Sequence, residues 1–544
     1  MILVSGIMKI FQKVDNPNMK FKIKGVAIIS AILLTAVSCK KQNFGDLAPP
    51  AGSYLLTCNQ VTVANDTLSA SCRKFNGQFV PTSLSALSQC LNQIVSGGDI
   101  GNLDGNLVCI PDLPKVASGF IFPETETNID TWVTSADWDS MYEHSWGIWA
   151  GLTHFTGSVD GVQVRAFETW AIPDNMIYRT NVFNENQITG PVKRNRLRLM
   201  KPHQHSKQVP VETIANDGDT LIAVSIAYNP PAAKHAIDNK LFYKSTLAGY
   251  VQTGQQEIPN FPTNAITIKP VYKVITQSKI QNGIYKMPGW PGTPDPAKAF
   301  PEQDWDACVY IDISNTGAGG NEIDVGCSNR NANNTFYLNN FIHQTLTAED
   351  ATYLNKQLSL NAVEGDIAIL VGMHVTTREI KRWVWQTYWW SANSDEPPLP
   401  SSTTIADKRP TVLDEAAGHY AMSVAYQMVI PTQPNNGGVS EGSSLIAYNP
   451  HLEAGFDMDI FQIVLPIVSN GKEVTNRYGG QTNCMTCHNL AMYDPNLDYN
   501  VNNGANRQKP YGTDYYMSLD DSVFNGSLRL DFAWSILGFM VEDK

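Results

Sequence analysis

The sequence predicts an α+β chain in three parts: a small disulfide-stapled β module, a large mixed aromatic-rich β/α region, and a C-terminal helical segment. Three observations carry this. Residues 54–109 are written in short alternating runs, such as Gln60 to Val63 and Thr67 to Ser71, punctuated by Asn65-Asp66, Asn76-Gly77 and Asp104-Gly105; that is strand-and-turn patterning. The middle of the chain mixes helix-period stretches with β-type runs. Leu528 to Met540 places Leu530, Trp534 and Leu537 at helical spacing.

Composition sets the bounds. A chain of 544 residues is long enough for several domains. A hydrophobic content of 43% can build real cores, so the chain is not a disordered one. Formal net charge is −12, and nothing basic points to nucleic acid.

Taken in order, the chain opens on a targeting pattern. Met19 is the expected start of a basic run, Met19-Lys20-Phe21-Lys22-Ile23-Lys24, followed by the apolar stretch Gly25 to Val37. The stretch is too short to span a bilayer and has the length of a signal-peptide core. It ends in Ala36-Val37-Ser38-Cys39, which resembles a bacterial lipobox, so Cys39 is the expected lipidation site. Without residues 1–38 the chain has 34 basic and 50 acidic residues, a net charge of −16. The expected location is the cell envelope, on a periplasmic or outer-membrane surface, tethered through residues 39–53, whose Ala48-Pro49-Pro50-Ala51-Gly52-Ser53 is a spacer.

The β module follows at 54–115 and the mixed region at 116–470. In the latter, Asp139 to Phe155 carries Met141, Trp146, Trp149 and Leu152 or Phe155 at helical spacing, and Val162 to Ala171 and Leu221 to Tyr228 read as strands. Ala265 to Ile275 alternates, with Pro270 marking an edge strand or a split. Pro288 to Pro301 is a Pro/Gly-rich connector expected at the surface. Ala307 to Ile313 and Ile367 to Thr376 are strands. Thr347 to Asp350 is a capping box opening a helix to about Leu358. Trp383 to Trp390 holds four Trp in eight residues. On a strand, Trp383, Trp385 and Thr387 face one way and Val384, Gln386 and Tyr388 the other. Such a row builds a core or flanks a flat cofactor. His203 and His205 form an H-x-H pair that reads as a solvated loop.

The chemistry sits in the last segment, 471–544, at Cys484, Met485, Thr486, Cys487 and His488. This is C-x-x-C-H, the haem c attachment pattern. Two thiols three positions apart can each add to a haem vinyl group, and the adjacent His is placed to ligate the iron. A zinc knuckle would want a second ligand pair, and a thioredoxin-type pair a strand-then-helix setting; Gly479, Gly480 and Asn483 precede the motif instead. The expected cofactor is covalent haem c on Cys484 and Cys487, with His488 the proximal ligand. For the sixth position, Met492 follows His488 by one helical turn and cannot reach across, and Met540 is expected to pack. Met517 lies after a loop long enough to wrap the haem edge and is the first choice; His374 is the second.

Six cysteines remain beside Cys39 and the motif pair. An even remainder in an exported protein suggests disulfides, with 15 connectivities open. Closeness along the chain favours sequential pairing, giving Cys90–Cys109 and Cys308–Cys327.

Two resemblances extend this reading. The stretches T-L-S-A-S-C-R-K-F-N-G-Q-F (67–79), L-S-A-L-S-Q-C-L (84–91) and G-N-L-D-G-N-L-V-C (101–109) are similar to one repeat of the cyanovirin-N homology family. The resemblance implies a hairpin closed by Cys58–Cys72. Complete members have two repeats and some bind mannose-rich glycans; one repeat stands here. Separately, S-W-G-I-W-A-G-L, F-E-T-W (167–170), I-K-P-V-Y-K (268–273), L-V-G-M-H-V (370–375), W-V-W-Q-T-Y (383–388) and C-M-T-C-H resemble a family of exported bacterial proteins with an aromatic-rich region before a single haem c site. His374 matches that family's G-x-H position. Trp389 and Trp390 stand where it often has Glu-His. The resemblance implies a mono-haem cytochrome c-like protein.

The expected function is single-electron transfer by an exported, lipid-anchored mono-haem c-type cytochrome, working with a redox partner protein or a small-molecule donor or acceptor. One alternative is a haem-dependent oxidoreductase of peroxidase or oxidase type, which would need an open sixth iron position. The other is a surface carbohydrate-binding lipoprotein.

Overall fold

The computed structural model describes residues 49–50, 52–74, 78–93, 99–103, 105–110, 121–159, 162–177, 199–200, 222–295, 298–358, 360–439, 443–455, 467–469, 472–474, 484–497 and 516–542. The targeting segment with Cys39, the His203/His205 pair and most of the approach to the C-x-x-C-H motif lie outside the described residues. Among the described residues, no helix is long and apolar enough to cross a membrane.

The first module is a three-stranded antiparallel sheet of β1 (Cys58–Ala64), β2 (Thr67–Arg73) and β3 (Phe79–Ser85), then α1 (Leu87–Gln93) and the hairpin of β4 (Asp99–Leu103) and β5 (Asn106–Ile110). Asn65 and Asp66 close the first hairpin with φ of 48° and 60°, the left-handed pair that a two-residue turn demands and Asn and Asp tolerate. Cys58 and Cys72 face each other across β1 and β2 and are bonded. Cys90 on α1 is bonded to Cys109 on β5. Leu68, Cys72, Leu87, Ile100 and Leu107 form the small core these staples enclose.

Two helices, α2 (Glu126–Ser135) and α3 (Trp138–Thr153), precede the hairpin of β6 (Phe155–Val159) and β7 (Val162–Arg165). The strand expected to run to Ala171 stops at Arg165. Glu168 accepts the Arg165 backbone N–H and turns residues 166–169 into a short 3-10 helix. The run to Tyr228 is likewise two short strands, β8 (Ala223–Val224) and β9 (Ala227–Tyr228), followed by α4 (Pro230–Asp238) and α5 (Lys244–Gln252).

β10 (Ile266–Ile275) is neither split nor at an edge: β17 (Ile367–Thr377) lies on one side and β8 and β9 on the other. Pro270 costs one ladder bond on the β8/β9 side and leaves the pairing with β17 continuous around it. Its carbonyl accepts the Ser225 N–H, and its nitrogen, which carries no hydrogen, faces the same flank, so the reciprocal bond to Ser225 is missing and the ladder is interrupted there, between β8 and β9. The seven-stranded sheet is completed by β18 (Val384–Trp390), β19 (Tyr420–Ala425) and β16 (His343–Thr345). A smaller sheet holds β11 (Ile280–Gln281), β12 (Ile284–Pro288), β13 (Ala307–Asp312), β14 (Asp324–Val325) and β15 (Thr335–Tyr337). Cys308 and Cys327 are bonded beside it. Its connector is not wholly superficial, since Trp290 is buried against Trp305 and Tyr448. α6 (Ala348–Leu358) begins at the expected capping box, with Thr347 Oγ1 and Asp350 Oδ2 each accepting the other's backbone N–H.

The large sheet divides two cores. On one face α3 packs Trp146, Trp149 and Leu152 against Met373, Val375, Tyr388, Met422 and Val424. Trp149 stacks on Tyr388 at 4.4 Å and donates its indole N–H to the Ala417 carbonyl. The opposite face carries Trp385 and Ala425, packed with Met485, Leu530 and Phe532. The period-two reading of the tryptophan strand therefore holds: Val384 and Tyr388 serve one core, Trp385 the other.

The C-terminal segment is less helical than expected. Its described helices are α8 (Cys484–His488) and α9 (Trp534–Gly538), five residues each; α7 (Pro450–Glu453) precedes them. Leu528 and Arg529 form a two-residue strand with Met492 and Tyr493. Asp531 and Phe532, at φ 45° and 69°, break any helix there.

Candidate functional site

The motif helix α8 is anchored from inside. Met485 and Thr486 are buried. Arg382, itself buried, donates to Asn489 Oδ1 at 3.0 Å and to the Asn435 and Met517 carbonyls, tying the end of α8 to two distant loops. The Trp534 indole caps the Cys487 carbonyl at 3.2 Å.

His488 is held in one tautomer. Its Nδ1 lies 2.8 Å from the Phe532 carbonyl, which can only accept, so Nδ1 carries the proton and Nε2 presents a lone pair. Burial pushes the imidazole pKa down to about 3; the backbone bond opposes this, and the charges of His374 and Lys269 add to it. The ring is therefore neutral at ordinary pH. This is the arrangement of a metal-ligating histidine, oriented by a carbonyl on its second nitrogen. Trp385 lies 4.3 Å from it between ring centroids.

Cys484 and Cys487 are free thiols. Burial pushes Cys487 up to about 12 and Cys484 well above its ordinary value, with Glu453 adding and Lys269 opposing. A disulfide-exchange pair needs the opposite, a lowered thiol pKa. Among the described residues no three His, Cys, Asp or Glu side chains gather as a bare metal-ion site. A porphyrin supplies four iron ligands itself and asks the protein for one or two.

A crevice faces this helix. In the interior of a seven-stranded sheet, Thr267 and Lys269 on β10 and His374 and Thr376 on β17 are half-buried, while Ile266, Ile268, Met373 and Val375 between them are buried. Glu453, Cys484, Cys487 and His488 are half-buried too. Lys269 and His374 are register partners, and His374 pairs with Thr387 on β18, so the three share one face. His374 Nε2 lies 2.7 Å from Glu453 Oε1, and Glu453 Oε2 accepts the Asn449 N–H at 2.8 Å. Asn449 also donates to Thr387 Oγ1 and the Tyr388 carbonyl. Gly372 makes room for it, since a Cβ there would lie 2.6 Å from Asn449 Nδ2. Thus the glycine of G-x-H seats the asparagine that holds the glutamate on the histidine. The other end of α7 is fixed by His451 on Glu302, which also binds Lys273.

Burial pushes the Lys269 pKa down to about 8, against the pull of Glu453 and the two thiols. Three buried polar atoms on this sheet face, His374 Nδ1, Thr376 Oγ1 and Trp389 Nε1, have no hydrogen-bond partner among the described residues. The two thiols and the Nε2 of His488, on one side of this crevice, are the groups that would hold a haem.

Of the sixth-ligand candidates, His374 lines the crevice. Met517 packs with Leu490, Met492 and Phe524 in a separate cluster. Lys269, Glu453, Asn449 and the Phe532 carbonyl were not singled out by sequence reasoning. A lysine inside the apolar run of β10 is the one signal that could have drawn attention.

Compared with family models, curated proteins and solved structures, the chain matches none.

Proposed function

We propose that this chain is an exported, lipid-anchored mono-haem c-type cytochrome that carries single electrons. The observation that carries the reading is His488: neutral, with Nδ1 bonded to the Phe532 carbonyl and Nε2 available, in a crevice shared with both motif thiols. Haem c, when bound, supplies a centre that gains and loses one electron. Cys484 and Cys487 would hold it through thioethers and His488 through Nε2. Trp385 and the apolar cluster behind it exclude water from that side. The export and lipid anchor rest on the N-terminal pattern alone. Denaturing electrophoresis should retain haem peroxidase staining. A Cys484→Ser, Cys487→Ser variant that keeps haem through denaturation refutes the reading.

A second reading, a haem-dependent oxidoreductase on a small molecule, is favoured by one observation. The lysine and the Glu453-bound histidine that share the crevice are proton-handling groups that simple electron carriage does not require. A six-coordinate low-spin spectrum in both redox states, lost in His374→Ala, supports the first reading. A high-spin ferric spectrum supports the second.

A further inference from the structure

We propose that Tyr426, on the face of the large sheet away from the haem crevice, is a redox-active residue that gives an electron to the haem side and its proton to His144. The proposal rests on the haem reading and deepens its second form by naming the substrate class, a peroxide.

The Tyr426 hydroxyl lies 2.7 Å from His144 Nδ1 and 2.9 Å from Ser145 Oγ, with the Met141 carbonyl at 3.1 Å. His144 Nε2 lies 3.0 Å from Glu379 Oε1, and the Glu124 N–H and Thr377 Oγ1 also donate to that carboxylate. Ionised, Glu379 can only accept, so Nε2 carries the hydrogen. In the neutral ring, Nδ1 is then the lone pair that takes the phenol's single hydrogen, in the shortest of its three contacts. Burial pushes the phenol well above its ordinary range, so it stays protonated until it is oxidised. An oxidised phenol is a strong acid and needs a proton acceptor already in place. His144 is that acceptor, and Glu379 stabilises the imidazolium that forms. Tyr388 and Tyr420 differ: they donate to the Ser145 and Leu370 carbonyls, which take no proton. Tyr426 is also only 2% exposed, which shields a radical from solvent reductants. Strand register sets the route to the haem. Trp385 lies 4.3 Å from the His488 ring, and its partner on β19 is Ala425. Tyr426 is the next residue and packs in the core on the other side of the sheet. One strand pairing and one peptide step put the Trp385 and Tyr426 α-carbons within about 9 Å, a short distance for an electron to cross. A single haem c holds one electron, whereas reduction of a peroxide ROOH to ROH and water takes two electrons and two protons. One electron comes from the haem when reduced and the other from Tyr426. The O–O bond breaks, solvent supplies the two protons, and the phenol proton stays on His144 Nδ1, leaving a neutral phenoxyl radical.

The test adds one equivalent of hydrogen peroxide to the purified, reduced holoprotein and follows peroxide consumption and the freeze-quenched paramagnetic resonance spectrum. Wild type should consume one peroxide per haem oxidised and show a tyrosyl signal that narrows when ring-deuterated tyrosine is incorporated. Tyr426→Phe should lose the signal and consume half as much peroxide per haem oxidised. His144→Gln should lower the radical yield tenfold or more. Covalent haem, measured on denaturing gels, should stay at wild-type level in both variants. No tyrosyl signal from haem-loaded wild type, the same signal in Tyr426→Phe, or an unchanged yield in His144→Gln overturns the proposal while leaving the haem reading intact. Should Tyr426→Phe fail to fold, the wild-type and His144→Gln spectra decide alone. Wild type without covalent haem overturns the underlying reading, and this proposal falls with it.

Discussion

Replacing Asp531 by Asn should unfasten the C-terminal segment from the rest of the protein. The Asp531 carboxylate is fully buried and Arg378 nearly so. Arg378 Nε contacts the two carboxylate oxygens at 3.2 and 3.0 Å, and the Phe261 N–H donates to the second at 2.9 Å. Asparagine keeps the size and tolerates the φ of 45° at this position. It removes the charge, leaving a buried guanidinium without its counter-ion. Lys381, 3.9 Å from Asp531 Oδ1, is itself a cation and offers no relief. Breaking a buried pair on one side costs about 3–5 kcal/mol. Urea unfolding followed by tryptophan fluorescence should show that loss. The double variant Arg378→Met, Asp531→Asn should recover part of it, since no lone charge is then buried. The consequence for the site is direct: Asp531 precedes Phe532, whose carbonyl orients His488. A loss below about 1 kcal/mol, or a double variant no better than the single, refutes this account of the pair.

Three further outcomes are expected. The Glu302 carboxyl is held below its ordinary value: burial raises it, but Lys273 and His451 outweigh burial. Its stabilisation is therefore complete above the ordinary value of 4.5 and lost as pH falls through the lowered folded value. Glu302→Gln should flatten the acid limb of a stability–pH profile, and an unchanged limb would contradict the assignment. Cys308→Ala, Cys327→Ala opens a closure of 19 residues and should cost about 3 kcal/mol in the chain-entropy account, read as a lower denaturation midpoint; no shift would show the staple to be idle. Mass spectrometry of the mature N-terminus should find an acylated Cys39, and an unmodified start downstream of it would rule the lipid anchor out.

Much of the fold was legible because local rules govern it. Turn chemistry at Asn65-Asp66 and alternation in β1 and β2 marked the first module. The 3.6 period marked α3, and the period of two in Trp383 to Trp390 separated the residues of the two cores. Errors fell where a tertiary contact overrode local pattern. Pro270 argued for an edge, but the strand stays inside the sheet, because the one bond it cannot make interrupts only the short outer pairing between β8 and β9. The helical spacing of Leu530, Trp534 and Leu537 suggested one closing helix, but Asp531 is pulled into a left-handed conformation by Arg378 and the Phe261 N–H.

What the sequence alone determined is a single five-residue pattern, C-x-x-C-H, and the facing of strands, since both depend on residues close together along the chain. The attachment pattern Cys484 to His488 needs no tertiary structure to be read. Its surroundings do. His488 meets a carbonyl 44 residues away, and His374 meets a carboxylate 79 residues away. Lys269 comes to His374 through strand register. Such partners are brought together by burial of the sheet's second face, and no periodicity within a segment encodes them. The burial that seats these groups also lowers the Lys269 and His488 pKa values and raises those of both thiols. Only the folded chain, by removing these groups from water, decided their charge states.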